Sequence, residues 1–139
     1  MASHRKTWDE KFHNGKEPKV VVLEKPYCGA PAGAKMVVAS PQAVKDFIDT
    51  IPKGTSRTSA ELRSALAKRF HAETACPTST GIFVRIVSEC ALEALSKGEK
   101  LEKVTPFWRI IDPELPLASK LSCGPRWIAE HRRAEGIGP

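Results

Sequence analysis

Apolar positions recur at helical spacing through the middle of the chain and lay out three helices. Val44, Phe47, Ile48 and Ile51 fall at i, i+3, i+4 and i+7 behind Ser40-Pro41. That pair is an N-cap followed by a proline at the first helical position, where its missing N–H costs nothing. Pro52-Lys53-Gly54 ends this helix in a turn. Thr58 and Glu61 stand three apart, the spacing of a capping box, and predict a second helix. Its inward positions are Leu62, Ala65, Leu66 and Phe70, with Arg63, Lys68 and Arg69 on the wet side and an end near His71-Ala72. A third, longer helix is predicted from Cys76-Pro77 to about Ser96, stopped by Lys97-Gly98. Ile82, Phe83, Ile86, Val87, Cys90 and Ala94 form its expected buried face. At about 100° per residue, Thr78, Gly81, Arg85 and Ser88 gather on the other side, which is small, polar and positively charged.

The flanks carry weaker patterns. Residues 1–35 read as an irregular arm, with Trp8 and Phe12 able to form one helical turn and Lys19–Leu23 a short strand. Pro26, Gly29, Pro31 and Gly33 mark a surface loop, and the arm is expected to lie against the rest of the chain. Val104–Ile111 reads as a strand interrupted by Pro106, and Asp112 to Pro116 as a loop. Gly124-Pro125 opens a last helix packed through Trp127, Ile128 and Ala134, with Gly136 as its stop. The expected fold is mainly α with a small β component, a winged helix-turn-helix domain over 36–139 behind the arm 1–35. At 139 residues there is room for one core.

Composition narrows the class only slightly. Hydrophobic residues make up 41% and charged ones 27%, an ordinary globular balance. No apolar run approaches the roughly 20 residues of a membrane span, and no secretory leader is visible, so a cytoplasmic protein without a membrane partner is expected. The cysteines (Cys28, Cys76, Cys90, Cys123) and histidines (His4, His13, His71, His131) are dispersed, with no close pair of ligands. Reduced thiols and no metal or other cofactor are therefore expected. The net charge is +6. Residues 1–35 supply seven Lys/Arg against four Asp/Glu, or +3, and the remainder the other +3. A spread positive field adds a long-range attraction for polyanions such as DNA, and would place a DNA-binding protein on the nucleoid.

Four short segments point further. Ile51-Pro52-Lys53-Gly54, Thr58-Ser59-Ala60-Glu61-Leu62, Thr105-Pro106-Phe107-Trp108-Arg109-Ile110 and Ala134-Glu135-Gly136 occur in that order. Over about residues 37–137 the chain resembles the C-terminal domain of the O6-alkylguanine-DNA alkyltransferases. That family has a Pro-x-Gly turn, a Thr-Tyr-x-x-Ile/Leu-Ala helix, a recognition helix, the acceptor motif Pro-Cys-His-Arg-Val and a terminal Glu-Gly. Thr80–Phe83 and Thr105–Arg109 are also similar to a small bacterial subfamily usually labelled alkyltransferase-family proteins. The resemblance implies a DNA-binding domain used in repair of alkylated DNA.

The departures remove the chemistry. Pro106 and Arg109 keep their places, but Phe107 stands where the alkyl-accepting cysteine belongs, and a phenyl ring offers no thiolate. Trp108 replaces the proton-relaying histidine, and Ser59 the tyrosine that helps rotate the nucleotide out of the duplex. The resemblance therefore implies a non-catalytic protein whose partner is double-stranded DNA, plain or alkylated.

Each candidate site has two readings. Thr78, Ser79, Thr80, Gly81 and Arg85 either meet phosphates and base edges at a helix N-terminus or form an ordinary capped, solvated face. Arg57, Thr58 and Ser59, at the start of the basic second helix, either contact phosphates or are simply solvated. Pro106, Phe107, Trp108 and Arg109 either line a remnant pocket that stacks on a base or plug the old active site as core. Cys76, at a helix N-terminus, is either a displaced nucleophile, which would make the chain a methyltransferase after all, or a small apolar residue. A third function, a winged-helix module for a protein partner, also fits the pattern.

Overall fold

The computed structural model describes residues 7–13, 17–27 and 29–137. His4 and Cys28 lie outside the described residues. In chain order the elements are α1 (Trp8–His13), β1 (Lys19–Val22), β2 (Lys35–Val38), α2 (Pro41–Asp49), α3 (Ser59–Arg69), β3 (Thr74–Ala75) and α4 (Pro77–Ser96). Two 3₁₀ turns follow, at Leu101–Lys103 and Phe107–Arg109, and then α5 (Pro116–Lys120) and α6 (Gly124–Ala134).

The caps act where the sequence places them. Ser40 Oγ accepts from the Ala43 N–H at 3.2 Å and starts α2. Thr58 Oγ1 accepts from the Glu61 N–H while Glu61 accepts from the Thr58 N–H, both at 3.1 Å, so α3 begins with a complete capping box. The chain is mainly helical with one three-stranded sheet of order β1-β2-β3. β1 runs antiparallel to β2, with Val20 opposite Val37, and β2 runs parallel to β3, with Val37 opposite Ala75. The arm is thus woven into the fold, and a boundary at residue 35/36 falls inside β2. One core holds Val37, Val44, Ile48, Leu62, Leu66, Val87, Phe107 and Ile128, all almost fully buried.

Three local expectations are corrected. Residues 104–111 form no strand: Pro106 has no N–H to give, and the Ile110 and Ile111 N–H groups both turn back to the Phe107 carbonyl. The Trp108 carbonyl accepts from Arg132 at 2.9 Å, so the backbone there is satisfied by a side chain of α6 instead of a neighbouring strand. The loop expected to run through Pro116 ends there, because Pro116 starts α5. In α6 the buried partner of Ile128 is Arg132, four residues on, while Ala134 is exposed. β3 has only two residues, too few to leave a strand pattern.

Candidate functional site

Three of the segments singled out in the sequence meet in space at one carboxylate. Glu135, just past α6, accepts from Arg109 Nε at 2.8 Å, Arg109 Nη2 at 2.9 Å, Trp108 Nε1 at 2.9 Å and the Gly54 N–H at 3.0 Å. Arg109 Nη1 also donates to the Ile51 carbonyl at 2.8 Å. The Pro-x-Gly turn, the 105–109 motif and the closing Glu-Gly are thereby tied into one knot. Gly54 has φ +82, and a Cβ there would stand 3.3 Å from the Glu135 carbonyl oxygen, so both the turn and the close approach favour glycine. Burial pushes the Glu135 carboxyl up, but the hydrogen bonds from Arg109, Gly54 and Trp108 and the charge of Arg109 outweigh it. The result is a pKa of about 2.

Phe107 belongs to the core. It is 0% exposed, stacks on Trp127 with ring centroids 5.3 Å apart, and meets Trp108 edge-on at 5.5 Å. Trp127 in turn stacks on His131 at 3.6 Å. Of the four expected pocket residues, Pro106, Trp108 and Arg109 border a groove of about 810 Å³, together with Lys45, Lys53 and Cys90, while Phe107 does not. A base stacked on Phe107 is therefore ruled out as the arrangement stands. Cys76 does not border this groove either. Its thiol, half-buried at the N-cap of α4, accepts from Ser79 Oγ at 3.2 Å. The cysteine that does border it is Cys90, a residue the sequence pattern assigned to the core. Burial, aided by the charges of Glu93, Asp9 and Glu89, pushes its thiol up to about 11. Near neutral pH roughly one such group in ten thousand is a thiolate, a poor starting point for a nucleophile.

The start of α4 differs from the expected polar face. Thr78 is exposed, with Oγ1 3.5 Å from the Tyr27 hydroxyl, and a Cβ added at Gly81 would meet nothing within 4 Å. Ile82, expected inward, is 54% exposed. Thr80 and Ser88, expected outward, are 3% and 0% exposed. The buried residues of α4 are Thr80, Val84, Ile86, Val87, Ser88, Glu89 and Ala91, of which Ile86 and Val87 were expected inward. Both hydroxyls join this set because each donates within its own helix at 2.7 Å, Thr80 to the Cys76 carbonyl and Ser88 to that of Val84. Thr80 is thus withdrawn from any surface contact. Arg85 is half-buried beneath α1, its guanidinium 5.3 Å from the centre of the Trp8 ring, so this side of the helix is covered by the arm instead of standing open.

At the start of α3, Thr58 and Ser59 are exposed and Arg57 Nε lies 3.8 Å from Glu61. The Arg57 N–H donates to the Arg109 carbonyl at 2.9 Å, which sets this turn against the 105–109 motif. Among the described residues, no hydrogen bond or ion pair joins Arg57–Ser59 to Thr78–Arg85. Sequence reasoning also passed over Glu89, a 4% exposed carboxylate that accepts from the Ser122 N–H at 3.1 Å and from its hydroxyl at 2.5 Å ahead of α6. Its position three residues before Leu92, in an apolar stretch, is the only sign of it. Among the described residues, no helix is long and apolar enough to cross a membrane.

No family model matches the chain. No curated protein and no solved structure matches it either.

Proposed function

We propose that this chain is a non-catalytic duplex-DNA-binding protein of the alkyltransferase-like kind, with a winged-helix-type domain that recognises alkylated DNA without accepting the alkyl group. The observation that carries the reading is the open start of α4. Ser40 and Thr58 cap α2 and α3, whereas the 20-residue α4 begins at Cys76 with no side-chain cap. Its first free N–H groups and the exposed Thr78 hydroxyl make a set of donors suited to a phosphate. The exposed Thr58 and Ser59 and the neighbouring Arg57 add a second set. A sealed Phe107 and a protonated Cys90 support the absence of methyl transfer.

Titration of a fluorescent duplex, with and without O6-methylguanine, tests this. Micromolar or tighter binding is expected at low salt, falling linearly in log–log terms as salt rises. Absence of binding at low salt overturns the reading. Mass spectrometry after incubation with the methylated duplex is expected to find every cysteine unmodified; one methyl on Cys76 would instead establish the displaced-nucleophile enzyme.

One observation favours a second reading, a protein-interaction module. Val20, Val22, Tyr27 and Ile82 are exposed apolar side chains, and Tyr27 reaches Thr78 one turn before Ile82. Specific capture of a single partner after nuclease treatment, lost in Ile82→Ser, would favour it.

A further inference from the structure

Arg85 is the one cation in the first half of α4, yet it is spent inside the molecule. Its guanidinium faces the Trp8 ring at 5.3 Å, and Lys11 lies over the same ring at 4.2 Å. Two cations on one indole repel each other, so the face-on attraction to each is partly offset. Arg85 Nε is shut away from water with no hydrogen-bond partner among the described residues. A buried donor without an acceptor is a standing cost of the closed arrangement, and a phosphate oxygen would remove it. α1 has six residues and none of them is buried. Phe12, partly buried against the core, is its main apolar anchor.

We propose that α1 is a displaceable autoinhibitory cover, in which Trp8 occupies Arg85 until the phosphate backbone of duplex DNA competes for the guanidinium and α1 lifts from α4. This rests on the DNA-binding reading above and adds what controls it. In the closed form α4 offers its N-terminal donors alone. In the open form Arg85, two turns along from Thr78, joins them on the same helix and extends the contact along the backbone.

The test is duplex affinity at low salt for the full chain and four variants: Trp8→Ala, Phe12→Ala, Arg85→Ala and the Trp8→Ala/Arg85→Ala double. Removal of Trp8 is expected to tighten binding about threefold to tenfold, the range of one cation–aromatic contact. Phe12→Ala, which loosens α1 without touching the ring on Arg85, is expected to tighten it in the same direction. The gain from Trp8→Ala should not survive in the Arg85→Ala background. If both single variants bind as the parent chain does, or more weakly, the cover is overturned while the DNA-binding reading stands. If neither the parent chain nor any variant binds, both fall together. Retained thermal unfolding of Trp8→Ala and Phe12→Ala secures the comparison.

Discussion

Glu135 shows how much a single side chain can settle and how little of it a sequence displays. Its partners Trp108, Arg109 and Gly54 are 27, 26 and 81 residues away, so no local pattern marks it as the acceptor of four donors. Its pKa falls from the ordinary 4.5 to about 2. A carboxyl lowered on folding stabilises the folded state above its unfolded value and loses that contribution as pH falls through the folded one. The window is therefore about pH 4.5 down to 2, and the contribution at neutral pH is about 3 kcal/mol. Denaturant melts from pH 7 to 2.5 should show this decline, and Glu135→Gln should start lower by a similar amount and lack this component. A Glu135→Gln chain as stable as its parent at pH 7 would remove the knot from the account. Phe107 gives a second test at this scale. Placing a cysteine there with Phe107→Cys is expected to yield no methylated protein, because position 107 is sealed in the core and does not border the groove. The substitution should cost about 2–4 kcal/mol, as large-to-small changes in a core do. A methyl group found on that cysteine after incubation with O6-methylguanine DNA would show the position to be open.

Among the elements, α2, α3, α4 and α6 were legible to within a residue or two because each begins with a cap or a helix-starting proline and ends at a turn. Thr58→Ala, which breaks the capping box, should cost about 1 kcal/mol in urea unfolding, and Thr58→Ser almost nothing. What the pattern could not supply was the phase of α4. Apolar periodicity assumes that hydroxyls face water, and Thr80 and Ser88 escape that assumption by bonding to carbonyls of their own helix. With the phase turned, Ile82 went outward and Arg85 came under α1, so the face expected to stand open is covered by the arm. The strand expected at 104–111 failed for a related reason. Its β-like residues are apolar because they are core, and Arg132 of α6 takes the carbonyl that a neighbouring strand would have used.

At the scale of the whole molecule, a net charge of +6 fits a polyanion partner, and the groove beside Pro106, Trp108 and Arg109 leaves room near the 105–109 motif. Cys90 borders that room, and its thiol is expected to react slowly with iodoacetamide at pH 7 and to quicken only as pH approaches 11, read by peptide mapping. Fast labelling at neutral pH would reopen the case for a nucleophile there. The sheet was only partly visible in advance: β1 was legible, its partner β2 was not, and β3, on the far side of β2, is too short to announce itself. The knot at Glu135 also sets an order of events during synthesis. Gly54, Trp108 and Arg109 leave the ribosome well before the residue that unites them, so a nascent chain cut short at Ala134 holds an arginine with no counter-charge and a turn with nothing to grip. Such a truncated product should be open to proteases, and the fold should lock only when translation has passed residue 135.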